Sequence, residues 1–356
     1  MCSNLLNLTW EKLNTGHWRE VHICWRVLYS VLSWIKAMAL IKEQREKEAL
    51  VALDYGLLMG APLGDDGNLL ATFASQLHEK IVLNEEAHEG CGGTSQSSGE
   101  EVSTEAEVCC SSSSFERPIP VLDCPPLMTF MEVLTKKQPV LIRNAMSHWP
   151  AVQKWSVPYL LRRMRHRTVP VEVGSRYTDE SWSQQLMTVQ QFHDRFLSGG
   201  PEGGAGYLAQ HQLFEQLPEL WTDIYTPDYC HLAGTDPHQS DLDVDVNAWF
   251  GPRGTVSPLH QDPRDNLLCQ VFGSKYLLLV DAAHTEAVYP MRGGLLTNTS
   301  RVDVEAVDAH AFPHFQRLPK LECRLAAGDM LYIPKQWWHY VRSLSTSFSV
   351  SYWFGG

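Results

Sequence analysis

The sequence predicts a multi-domain α+β chain: a small helical domain, a polar linker, and a larger β-rich domain of sandwich or barrel type. Three observations carry this. Residues 1–87 repeat apolar side chains at three- and four-residue steps, residues 88–116 hold almost none, and from residue 117 short β-branched and aromatic runs alternate with Pro, Gly and Asn. A length of 356 residues suits about two domains of ~150 residues.

In the first part, Trp10, Leu13 and His17, then Val21, Trp25, Leu28 and Leu32, mark helical faces. Lys42 to Leu53 is rich in strong helix formers. Gly60 and the P-L-G-D-D-G run at 62–67 punctuate the chain before a further amphipathic stretch, Leu69 to Leu83. Two helical hairpins are expected, without a clear internal repeat. The apolar stretch Val27 to Leu40 is broken by Ser30, Ser33 and Lys36, so no segment is expected to reach the ~18–20 residues a membrane span needs. The N-terminus lacks the pattern of a secretory signal.

Residues 88–116 are dominated by Gly, Ser and Glu. Such a segment buries too little apolar surface to offset the entropy of ordering, and reads as a flexible linker. The third part, 117–356, has strand-like runs at Pro139–Ile142, Thr168–Val173, Gln270–Phe272, Tyr276–Val280, Met330–Pro334 and Ser347–Phe354. Helices are expected at Val157–Arg165 and Val189–Phe196.

Twenty-nine Lys and Arg against 41 Asp and Glu give a net charge of −12, which argues against a general nucleic-acid coat. Nine cysteines without a C-x-x-C fit free thiols in a reducing compartment. The basic run Arg162 to Arg167 could touch nucleic acid or an acidic partner, but reads first as a solvated helix end. The aspartates between Asp236 and Asp245 lack the Gly and Glu of a calcium loop. His310 and His314 have no evident third ligand.

The chemistry is concentrated in two stretches. In G-T-V-S-P-L-H-Q-D at 254–262, His260 and Asp262 lie two residues apart in a strand context, so both side chains share a face. A His and a carboxylate so placed need one further His to form a facial triad suited to non-haem Fe(II). The G-D-M-L-Y-I-P-K-Q-W-W-H stretch at 328–339 offers His339.

Together with K-K-Q-P-V-L-I-R-N at 136–144, W-P-A at 149–151, V-P-V-E-V-G at 169–174 and G-Y-L-A-Q-H-Q-L-F at 206–214, these stretches resemble the JmjC branch of the Fe(II)/2-oxoglutarate-dependent oxygenases over residues 118–354. The resemblance implies a cupin-like jelly roll, the double-stranded β-helix, with flanking helices. It implies His260, Asp262 and His339 as catalytic iron ligands, and Fe(II), 2-oxoglutarate and O2 as cofactor and cosubstrates. Lys275, fifteen residues after His260, would meet the distal carboxylate of 2-oxoglutarate. A buried lysine needs such an anion or loses its charge. Tyr207, Ser257 and Asn266 would complete that pocket, with Trp353 closing one wall.

The resemblance further implies a protein or peptide substrate presenting arginine or methyl-lysine, chromatin-associated partners, and residence in the nucleus and also the cytoplasm. No membrane or direct nucleic-acid partner is expected. Glu172 and Trp249 are the candidates for pairing with and stacking on a guanidinium. The chain carries no Cys/His-rich reader module, which tilts the reading toward arginyl hydroxylation over lysyl demethylation. The two share every catalytic residue, because demethylation hydroxylates the N-methyl carbon. Two alternatives come from other classes: a catalytically silent barrel recruited through its helices, and a cupin holding a different metal.

Overall fold

The computed structural model of the chain describes every residue except 1, 18–19, 91–116, 175, 180, 200–204, 233–243, 295 and 356. The stretch expected to be a linker therefore lies outside the described residues from 91 on, as do most of the aspartates between 236 and 245.

Among its described residues, the N-terminal part folds into four α-helices, α1 (Cys2–Leu13), α2 (Ile23–Lys42), α3 (Glu46–Met59) and α4 (Leu69–Gly90). His22 starts α2 by accepting the Cys24 N–H on its ring nitrogen at 3.2 Å. Between α2 and α3 the chain reverses at Gln44, which adopts a left-handed φ of 60°. The α2–α3 crossing is close because small residues face each other: a Cβ on Gly60 would overlap both the Ser30 hydroxyl and the Gly56 carbonyl. Ser30 Oγ donates to the Ala61 carbonyl at 2.8 Å and accepts the Ala61 N–H at 2.9 Å, closing the end of α3. Helix α4 runs seven residues beyond the expected Leu83.

One expectation is corrected here. Helix α2 is 20 residues long and apolar enough, by length and composition, to cross a membrane. Its serines do not break the helix, because they sit on the face turned to α3. Tyr29, Leu32, Ala37 and Leu40 are buried against neighbouring helices, as in the core helix of a small bundle.

Among the described residues, the C-terminal part holds thirteen strands: β1 (Val121–Asp123), β2 (Val140–Arg143), β3 (Thr168–Val173), β4 (Ser183–Thr188), β5 (Gly206–His211), β6 (Asp245–Gly251), β7 (Val256–Gln261), β8 (Asp265–Phe272), β9 (Ser274–Val280), β10 (Leu321–Ala326), β11 (Met330–Ile333), β12 (Trp338–Ser343) and β13 (Ser347–Phe354). Nine form one sheet in the order β1-β2-β11-β8-β13-β6-β5-β3-β4, and four form a second in the order β10-β9-β12-β7. Every pairing is antiparallel except β1 with β2. The expected helices appear at Val157–Met164 and Val189–Phe192, the latter continuing as a π-helical turn.

Alternation along the strands divides the core into layers. Leu268, Leu277, Leu279, Leu325, Leu331, Ile333 and Val341 fill the space between the sheets. Ala248, Phe250, Cys269, Phe348 and Val350 point the other way, from the large sheet into the packed helices. Outside the small sheet, Leu278, Val280, Trp338 and Tyr340 pack beneath Val288, Val302 and Phe315. Each fully buried apolar side chain contributes roughly 1.5–3 kcal/mol.

The basic run also departs from expectation. Arg167 is fully buried, its guanidinium bonded to Asp54 of α3. Arg162 pairs with Glu86 and Arg165 with Glu85, both on α4. The run is the seam between the two parts of the chain rather than a solvated helix end. It was misread because its acidic partners lie some 76 to 113 residues away in sequence.

Candidate metal centre and cosubstrate cavity

His260 is the penultimate residue of β7 and His339 sits second in β12, directly opposite it in register. Both rings point between the sheets, with centroids 4.1 Å apart. Asp262 follows one residue after β7. Its carboxylate lies 3.8 Å from His260 Nε2 and 3.5 Å from His339 Nε2. One ligand atom from each of the three residues falls within 4.8 Å of the others, the one such cluster among the described residues.

The ring orientations are set from behind. His260 Nδ1 bonds the Pro258 carbonyl at 2.7 Å, and His339 Nδ1 bonds the Trp337 carbonyl at 3.0 Å. A carbonyl only accepts, so each Nδ1 carries the proton and each Nε2 is turned inward, where it can present a lone pair. For His260 the electrostatics agree. Burial and then the neighbouring His339 push His260 down to about 4, favouring the neutral, ligating form. Burial opposes charge on Asp262 and His339, but their mutual hydrogen bond outweighs it, holding Asp262 low and His339 high. Two inward nitrogens and a retained carboxylate form a donor set that fits a divalent cation and leaves positions open.

Behind this cluster, Tyr207, Trp249, Ser257, Asn266 and Lys275 line the same cavity. Lys275 is 1 % exposed, and its ammonium donates to the Tyr207 hydroxyl at 3.1 Å. It has no carboxylate partner among the described residues, and burial pushes it down to about 7. The Asn266 carbonyl oxygen is buried without a hydrogen-bond partner. An unpaired buried cation and an orphaned amide are costly in a closed barrel, and a dicarboxylate satisfies the cation.

Trp249 stands over the cavity, its indole N–H donating to Ser351 Oγ at 2.8 Å. Glu172 pairs in register with Tyr207 and lines an adjoining small cavity together with Tyr177, Trp182 and Arg176. Burial pushes its carboxyl above the usual range, with the Trp182 indole opposing. Trp353 does not line the cavity around His260; it faces Asn266 across β13 and β8 and lines a larger groove outside. Tyr177 and Trp182 were missed by the sequence reading. They lie in the β3–β4 connection, where no periodicity marks them, although an S-R-Y-T-D-E-S-W run after a strand is rich in groups that bind cations.

Comparison with known proteins bears on the whole chain. Residues 126–356 match the family described as "Cupin-like domain", and residues 3–87 match "KDM8-like, N-terminal ARM repeats". The chain is 45% identical to the lysine-specific demethylase 8 of Danio rerio over 359 aligned residues, covering 98% of this chain and 86% of that protein. This chain belongs to the JmjC oxygenases.

It is also 37% identical to the Jumonji C domain-containing protein 5 of Drosophila melanogaster, covering 98% of this chain and 85% of the relative. A more distant JmjC relative is the human bifunctional peptidase and (3S)-lysyl hydroxylase JMJD7, 28% identical, covering 66% of this chain and 84% of that protein. The expected α+β architecture with a cupin-like domain stands, and the chain is a 2-oxoglutarate-dependent dioxygenase. JmjC cupins in general depend on Fe(II) and 2-oxoglutarate. The helical part, in which no repeat was legible, aligns with a repeat family.

Proposed function

We propose that this dioxygenase holds Fe(II) through His260, Asp262 and His339, binds 2-oxoglutarate against Lys275, Tyr207, Ser257 and Asn266, and hydroxylates an arginine side chain of a protein substrate. When bound, iron with 2-oxoglutarate and O2 supplies oxidation of an unactivated C–H bond, with release of succinate and CO2. The chain's own residues hold the metal with open positions, neutralise the distal carboxylate, and exclude water with the apolar walls Leu268, Ile333 and Val341.

The observation that carries the choice of arginine is Glu172. It is a half-buried carboxylate on the wall of a cavity shared with Trp182 and Tyr177. It forms no ion pair among the described residues, and Trp249 lies beyond Tyr207 at a ring distance of 6.0 Å. A guanidinium satisfies a carboxylate bidentately and stacks on aromatic faces at once.

The names of the relatives favour a second reading, demethylation of methyl-lysine at the same centre. Chromatin-associated partners and nuclear residence form part of the proposal on that ground alone. The test is mass spectrometry of arginine and methyl-lysine peptides after incubation with the Fe(II)-loaded enzyme, 2-oxoglutarate and O2. Gain of one oxygen on arginine, lost in Glu172→Gln, supports the hydroxylase. Loss of a methyl group from lysine, with arginine peptides unchanged, replaces it with the demethylase.

A further inference from the structure

A groove of 970 Å³ lies between the helical part and the large sheet. Its floor continues the face that carries the substrate candidates. One step of two residues along each of four adjacent strands leads from the site into the groove: Glu172 to Pro170 on β3, Tyr207 to Ala209 on β5, Trp249 to Asn247 on β6, and, from the Ser351 that Trp249 bonds, to Trp353 on β13. Neighbouring strands are antiparallel, so the four steps all run the same way, by about 6–7 Å. Their direction is toward the metal. Trp353 faces Asn266, four residues after Asp262, whereas Lys275 lies at the other end of the barrel beside Ser343.

The opposite wall belongs to the helical part. Leu58, Met59, Pro62 and Leu63, from the end of α3 and the turn before α4, stand across from that floor. The two walls are held at a set separation by the buried Asp54–Arg167 pair beneath them.

We infer that this groove seats the substrate's polypeptide main chain on one side of the modified residue, so that the helical part reads sequence for the oxygenase. The inference rests on the proposed action on a protein substrate and names where that protein lies. Chemistry favours an extended, basic peptide. Gln184, Gln210 and Asn247 line the floor, and side-chain amides satisfy both the N–H and the C=O groups of a main chain. Leu58 and Leu63 offer apolar contact for alternate side chains. Among the described residues no Lys or Arg lines the groove, while Glu215 does, and Asp245 there is already paired with Arg264 at 2.7 Å, so flanking cations meet little repulsion.

The test uses the full-length, Fe(II)-loaded enzyme and two sets of peptides sharing a central arginine or methyl-lysine: tripeptides, and dodecapeptides with basic flanks on either side. The readout is the ratio of kcat/KM for long over short peptides. The wild type is expected to favour the long peptides at least tenfold. Leu58→Lys on the helical wall should bring the ratio close to one. Gln184→Lys, on the exposed edge strand β4, is the second variant and tests the opposite wall should Leu58→Lys fail to fold. Peptide turnover with an unchanged length preference in a folded variant overturns the groove assignment while leaving the protein-oxygenase reading intact. Decarboxylation of 2-oxoglutarate without turnover of any peptide overturns both.

Discussion

Asp54 and Arg167, 113 residues apart in sequence, are both 0 % exposed and joined by two hydrogen bonds, from Arg167 Nε at 2.9 Å and Nη2 at 2.7 Å to Asp54 Oδ1. The other carboxylate oxygen accepts the Thr168 N–H at 2.6 Å, and Gln216 Nε2 adds a bond to Oδ1 at 2.9 Å. A charge pair taken out of water survives only when its remaining lone pairs and protons are satisfied, and here the helical part supplies the anion and the β-domain supplies the donors. The two parts of the chain are thereby one structural unit.

Removing one partner leaves the other charge buried and uncompensated. Asp54→Ala is therefore expected to cost about 3–5 kcal/mol, far above the contribution of the solvent-screened pairs around Arg45. Chemical denaturation checks this. A cost below about 1 kcal/mol, or helical and β-domain probes that already melt separately in the wild type, would contradict a single unit.

A second stability prediction concerns the helical part itself. Gly60 has φ −92°, a conformation any residue adopts, so its constraint is space and not backbone freedom. Gly60→Ala forces a methyl group against the Ser30 hydroxyl and the Gly56 carbonyl, splaying α2 from α3. An overpacking cost of about 1–3 kcal/mol is expected, with Gly64→Ala as a contrast limited by its positive φ. Equal stability of Gly60→Ala and the wild type would show that the crossing yields freely.

The extent to which these features were legible in the sequence follows from how far apart their parts lie. His260 and Asp262 share a local strand, and the turn-strand-corner run places His339, so the centre could be read from short-range alternation. Strands β4, β5 and β6 lack dense β-branched runs and were passed over, though they build the wall carrying Glu172's neighbours. Trp353 has the parity of the inner face, but only the three-dimensional register shows that it lies past the cavity in the groove. Arg167 and Asp54 each look like ordinary surface charges on amphipathic helix ends, because nothing local records a partner a hundred residues away.

The metal centre makes its own prediction. With both Nδ1 atoms tied to carbonyls, His260 and His339 have only Nε2 to offer, so neither can be replaced by rotating the ring. His260→Ala should reduce Mn(II) affinity by more than the ~10–100-fold typical of losing a supporting residue, while far-UV circular dichroism stays unchanged. Wild-type Mn(II) affinity, read by electron paramagnetic resonance, would remove His260 from the ligand set.

Glu172 offers a test confined to the substrate. Hydrogen bonds to a charged group contribute about 1.5–3 kcal/mol, so Glu172→Gln should lower kcat/KM for arginine peptides by roughly tenfold to 150-fold. The KM for 2-oxoglutarate should hold, because Glu172 lines the neighbouring cavity and not the one containing Lys275. A parallel loss in 2-oxoglutarate binding would instead make Glu172 part of the cosubstrate wall.

Lys275 links cosubstrate binding to pH, with a sign that can be worked out. Burial lowers its ammonium from the ordinary 10.5 to about 7, so above pH 7 the empty cavity holds mostly the neutral amine, bonded to Tyr207. A carboxylate arriving there restores the charge, and binding then takes up a proton. Apparent affinity for 2-oxoglutarate should therefore be level below about pH 7 and fall by about tenfold per pH unit above it. Lys275→Met should bind weakly with no such slope. The linkage runs the other way for the ligand-free fold: with the folded value below the unfolded one, the unfolded chain holds more protons between about 7 and 10.4, so this group's contribution to stability improves as pH rises through that window. Calorimetric titration of 2-oxoglutarate in buffers of different ionisation enthalpy measures the proton directly. Binding near pH 8 without proton uptake would show that Lys275 is already charged in the empty cavity, held by an anion other than the cosubstrate.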